Sequence, residues 1–178
     1  RAFQSPRRCS LYEYAFIANF NFLTMNTIAS TVMTIRPAAF GFNIETAENN
    51  VFQNQPTLTN AELQQKAVQE FDVFVAALQQ AGIEVLVVED IPSPPKPDAV
   101  FPNNWFCTLP DGTLAYFPMY APNRRIERRK DIETILSKKF KIINIEDWSV
   151  YESEHLFLEG TGSMVIDHEY KIIYACLS

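Results

Sequence analysis

The chain has 178 residues, 47% of them hydrophobic, and carries 15 Lys and Arg against 21 Asp and Glu for a formal charge of −6. This is enough apolar material for one domain with a real core, and the acidic balance excludes the concentrated basic face that nucleic acid requires. Three scattered cysteines (Cys9, Cys107 and Cys176) exclude a disulfide framework or a zinc site, and no 18-residue apolar run is present to span a membrane.

Arg1–Thr24 stands apart: three arginines precede an aromatic-rich stretch broken by Glu13 and several Asn. Met25 reads as the natural start, which makes residues 1–24 a leader or non-native extension; a targeting sequence is the alternative, although no clean apolar core or cleavage-type site follows. Residues 25–178 are expected to form the domain, in a reducing cytoplasmic setting.

Thr31–Arg36 is rich in β-branched residues and stops at Pro37, as a strand does. Residues 38–57 read as loop, with Asn49, Asn50 and Asn54 offering polar side chains. Thr59 and Glu62 then form a candidate capping box, and Leu63, Ala67, Phe71, Phe74 and Leu78 recur at helical spacing up to Gly82. Ile83–Val88 is a short apolar strand, expected to be buried on both faces. Four prolines stiffen Glu89–Pro97.

The second stretch opens with Trp105–Leu109 and Thr113–Pro118, which flank Pro110-Asp111-Gly112 as a hairpin. Asn123 is a candidate cap for a helix over Arg124–Lys139, with Ile132, Ile135, Leu136 and Phe140 on its apolar side, and Lys141–Ile145 is the next strand. After an acidic connection (Glu146–Glu154), Ser163–Ile166 and Lys171–Leu177 flank Asp167-His168-Glu169 as a further hairpin. The organisation is a repeated ββαβ unit, present about two and a half times. Cut in mid-repeat, such a fold leaves an open sheet edge, so self-association is expected.

Polar groups concentrate in two places. Asp98 follows Pro97 and either clamps a cationic nitrogen or closes a turn. Asn103 and Asn104 are adjacent amides entering an apolar strand; they read a neutral polar group or satisfy local backbone. Trp105 reads as core. Glu159 follows Leu156-Phe157-Leu158 directly before Gly160-Thr161-Gly162, and a carboxylate at the edge of a core needs a specific partner. No Lys follows these glycines, so they do not form a phosphate loop. Arg124 and Arg125 either hold a substrate carboxylate or begin a solvated helix, where a cation at the N-terminal end is electrostatically misplaced. His155 reads as a structural hydrogen-bonding residue or an acid–base group, and His168 as an exposed turn residue. Cys107 and Cys176 lie in strands as inert apolar residues, not activated nucleophiles.

The run PDAVFPNNWF, then APNRR, then FLEGTGS, then a hairpin ending in YACLS, resembles the guanidino-group-modifying pentein superfamily, in particular its amidinotransferase-related citrulline hydrolase and arginine deiminase-like branch. The resemblance covers the N-terminal part of such a protein. It implies an α/β fold, a five-bladed ββαβ propeller present here incompletely, and a hydrolase that needs no metal or cofactor. In that family a cysteine thiolate attacks the ureido or guanidino carbon of a free amino acid, and a histidine shuttles protons.

Glu159 then corresponds to the catalytic carboxylate, Asp98, Asn103 and Asn104 to substrate-binding positions, and Arg124 to the arginine that holds the substrate carboxylate. Relatives acting on arginine-type substrates often carry charged residues where this chain has Asn103-Asn104. Two amides suit a neutral ureido group, so citrulline is favoured over arginine or methylarginine. The family's catalytic histidine and cysteine lie beyond the third hairpin, so the chain as given is expected to be inactive. The competing readings are an amidinotransferase with an amine acceptor, and a non-catalytic binding protein on the same propeller.

Overall fold

The computed structural model describes residues 16–17, 29–47, 50, 53–55, 57–167, 169–170 and 172–175. Among the described residues the fold is mixed α/β with three small sheets. In the first, Thr31–Arg36 (β2) pairs in parallel with Glu84–Glu89 (β3), and Asn60–Gln80 (α1) connects them. The second contains Phe106–Thr108 (β4), Thr113–Tyr116 (β5) and Asn144–Asp147 (β6); β4 and β5 are antiparallel, and β5 and β6 are parallel. Between them run Pro122–Arg125 (α2) and Lys130–Ser137 (α3). In the third, Met164–Asp167 (β7) and Ile172–Ala175 (β8) form a hairpin, and Phe16–Ile17 (β1) pairs antiparallel with β8.

Helix α1 begins as its sequence dictates. The Thr59 side chain accepts from the Glu62 backbone while Glu62 reaches back to the Thr59 N–H, which satisfies two donors at the helix start. It ends at Gly82, whose φ of +81° lets Gly82 and Ile83 turn back to bond the Gln79 and Leu78 carbonyls. Its apolar stripe is only half-buried and Phe74 is 53% exposed. Polar ties fix α1 in place: Asp72 takes a bidentate hydrogen bond from Arg36 of β2, and Gln64 bonds Phe40 N and Pro37 O.

The core centres on β5. All four of its residues are buried, and alternate side chains feed two apolar clusters. Leu114 and Tyr116 join Ile35, Val88, Trp105, Met119, Ile132 and Leu136 on one side; Ala115 joins Phe117 and Met164 on the other. A continuous apolar run is the sequence signature of such a two-sided strand.

Three sequence expectations are corrected. The strand expected to be buried on both faces, β3, buries only Val88 among its apolar residues, because its sheet has two strands and α1 covers it loosely. The single helix over Arg124–Lys139 is two helices, and Asn123 lies inside the first of them; Ala121 is the N-cap, without a side-chain bond. Arginine contacts account for the break: Arg124 turns inward to Glu127, Arg128 outward to Glu152, and Arg129 back to the Glu89 carbonyl. The third strand runs Asn144–Asp147, not Lys141–Ile145, and the acidic connection after it is a 3-10 turn, Trp148–Glu154, capped by Asp147 accepting from Ser149 N.

Ile132 is fully buried against β5, whereas Phe74 is largely in solvent. Urea denaturation should therefore show Ile132→Ala lowering the unfolding free energy by about 2–5 kcal/mol. Phe74→Ala should change it by less than about 0.5 kcal/mol. Equal losses would contradict this account of the core.

Candidate functional site

The stiff segment after β3 ends in a tight turn at Asp98, where Phe101 N bonds the Asp98 carbonyl. Asp98 is buried, and its Oδ2 accepts from Asn43 Nδ2 at 2.6 Å and Thr46 Oγ1 at 3.2 Å. Asn43 is itself only 1% exposed and exchanges amide hydrogen bonds with Asn123. A carboxylate with several donors is the partnered state that burial demands.

Arg124 lies beside this network. Its Nε is 3.0 Å and its Nη2 2.9 Å from the two oxygens of buried Glu127, and its Nε is 3.9 Å from Asp98 Oδ2. Nη2 also donates to the carbonyls of Asp98 and Phe101. Burial works against its charge, but Glu127, Asp98 and Glu159 together hold its pKa above the ordinary value. Arg124 was expected to meet a substrate carboxylate; both of these nitrogens are committed to protein acceptors. Arg125 is likewise engaged, with Met119 O and Tyr120 O, and lies over the Phe157 ring at 5.7 Å.

The second piece is the loop after the Trp148–Glu154 turn. Leu156–Leu158 is not a strand; Leu158 N bonds Pro118 O, and the half-buried Glu159 accepts from Tyr120 N at 2.9 Å. The partner expected for this carboxylate is therefore a backbone N–H just beyond β5. The helical turn Gly160–Ser163 then packs directly on the 3-10 turn Pro102–Asn104. A Cβ on Gly160 would overlap the Asn103 carbonyl, and one on Gly162 would overlap the Asn104 amide. Asn103 Nδ2 reaches Thr161 Oγ1 at 3.2 Å.

The structure thus brings Asn103 and Asn104 against the glycines that follow Glu159, and sets Asp98 and Arg124 behind the same Pro102–Asn104 turn. Asn103 is exposed and Asn104 half-buried. Trp105 is fully buried in the core. Asn43 was missed by sequence reasoning: the readable amides nearby were Asn49, Asn50 and Asn54, and its one local signal is an amide between apolar Phe42 and Ile44. Burial pushes the Cys107 thiol up to about 11, which leaves it an inert thiol. His155 is exposed and ends the 3-10 turn in a left-handed conformation, φ +57°. His168 and Cys176 lie outside the described residues, and among the described residues no cluster of His, Cys, Asp and Glu could hold a metal ion.

A family model described as N,N dimethylarginine dimethylhydrolase, eukaryotic, matches residues 36–178. The chain belongs to that family. It is thereby a member of the guanidino-modifying pentein superfamily. Among solved structures it is similar to the N-terminal domain of ArgZ bound to substrate, an arginine dihydrolase from the ornithine–ammonia cycle in cyanobacteria, with TM-score 0.55 and 17% identity over 82% of this chain and 48% of that one. It is also similar to AgrE in ternary complex with ornithine and NAD+, with TM-score 0.55 and 17% identity over 82% of this chain and 19% of that one. The chain therefore spans about half the length of the ArgZ domain. No curated protein matches the sequence. Among the described residues no helix is long and apolar enough to cross a membrane.

Close packing of the two turns should make the glycines sensitive. Gly160 has φ +43° and faces backbone, so Gly160→Ala should cost about 1–3 kcal/mol in thermal or urea unfolding. Gly41 faces open space, so Gly41→Ala should change stability by less than about 0.5 kcal/mol. A neutral Gly160→Ala would separate the two turns.

Proposed function

We propose that the chain is the N-terminal part of a cysteine-dependent hydrolase that acts on the ureido or guanidino carbon of a free amino acid, with citrulline the favoured substrate. Residues 25–178 would form about two and a half ββαβ units of a five-unit propeller. Glu159 is the catalytic carboxylate that orients the substrate. Asp98, Asn103 and Asn104 bind its head group. Arg124 meets the substrate carboxylate only if its bonds to Glu127 and the Asp98 turn open. The histidine and cysteine of the reaction are proposed to lie outside these 178 residues, which leaves this chain without turnover of its own.

The observation that carries this reading is the packing of the Pro102–Asn104 turn on Gly160–Ser163, which sets Asn103 and Asn104 against the glycines that follow Glu159. The preference for a neutral head group follows from charge. Asp98 Oδ2 already has two hydrogen-bond donors, and Asn103 and Asn104 add no charge. A guanidinium would enter with less compensating charge than a pair of carboxylates would supply, whereas a ureido group finds donors and acceptors on both amides.

Isothermal titration calorimetry of the 178-residue chain with L-citrulline and L-arginine tests this. Citrulline should bind at least about tenfold more tightly, a difference of about 1.4 kcal/mol. The double substitution Asn103→Asp with Asn104→Asp should narrow or invert the preference, and neither ligand should release ammonia. Equal or tighter binding of arginine to the unsubstituted chain would reject the substrate assignment.

A further inference from the structure

Glu127 has no role in the proposed reaction, yet it is only 2% exposed and lies at the centre of the buried charges. Both of its oxygens face Arg124, at 3.0 and 2.9 Å. Behind it, buried Asp90 pairs with buried Lys96 at 3.1 Å and lies 3.7 Å from Arg129. Two-point bonding to a carboxylate fixes the plane of a guanidinium as well as its position. With that plane fixed, Arg124 Nη2 bonds the carbonyls at both ends of the Asp98–Phe101 turn. The Phe101 carbonyl also accepts the Asn104 N–H at 3.2 Å, which opens the turn that carries both amides.

We propose that Glu127 is a positioning residue: by holding the plane of Arg124 it sets, through the shared Phe101 carbonyl, the orientation of the Asn103–Asn104 turn. Only the consequence for substrate selection rests on the reading above; the mechanical link does not. Protonating Glu127 converts one acceptor into a hydroxyl, breaks the two-point grip and frees the guanidinium plane to rotate. Burial raises the Glu127 pKa to about 7, with Arg124 pulling it down and Asp98 and Asp90 pushing it up, so this change falls in the neutral range. The charged groups around it are Arg124 on α2, Asp98 before the Pro102 turn, and Asp90 after β3 with its partners Lys96 and Arg129.

The test is a pH titration of the uniformly 15N-labelled 178-residue chain, followed at the Asn104 backbone amide from pH 5.5 to 8.5. In the wild type the resonance should shift with a midpoint near 7, and in Glu127→Gln the pH-dependent shift should be lost. The same Asn104 titration in wild type and Glu127→Gln would overturn the proposal. Should Glu127→Gln fail to fold, the wild type decides alone: an Asn104 amide that does not move across the range refutes the link. Adding citrulline to the same samples reports separately, because absence of binding would retire the substrate assignment and leave the positioning role standing.

Discussion

A buried guanidinium holds the site together. Arg124 is 4% exposed, and it meets one carboxylate face-on, a second at 3.9 Å and two carbonyls. A cation so deeply withdrawn from water is tolerable only when its donors are met, and removing one partner of such a set costs about 3–5 kcal/mol because the other charge stays buried. This constraint fixes the Asp98 turn against α2, and from Asp98 it extends through Asn43 and Asn123 into the loop after β2.

A second constraint joins the two halves of the site. Strand β5 is buried on both sides, and the chain just beyond it supplies the backbone groups that anchor the later loop: Pro118 O receives Leu158 N, and Tyr120 N meets Glu159. Glycines at 160 and 162 then allow approach to the Asn103–Asn104 turn that no side chain would permit. In this arrangement a rigid strand carries loops that present polar groups at its end.

Local chemistry made much of the fold legible. The Thr59–Glu62 box, the Gly82 stop and the Asp111-Gly112 hairpin each depend on neighbours in sequence, and each appears where the residues put it. Tertiary contacts overrode the rest. The helix after Asn123 breaks because its arginines find partners in three directions, and β3 stays half-exposed because only one strand and a loosely seated helix flank it. In the site, Asp98 stands out after Pro97 and Glu159 as an acid that follows an apolar run. Asn43 and Glu127 did not, because their importance comes from partners at Asp98, Asn123 and Arg124 that no spacing rule reveals.

The central claim is that Asp98 and Arg124 are energetically one unit. A double-mutant cycle built on Asp98→Asn and Arg124→Met, measured by urea unfolding at constant pH, tests it most directly. A coupling energy of at least about 1.5 kcal/mol is expected, with the double variant losing less than the two single losses combined. Losses that add to within about 0.5 kcal/mol would mean that the two side chains act independently and would contradict a shared buried-charge unit.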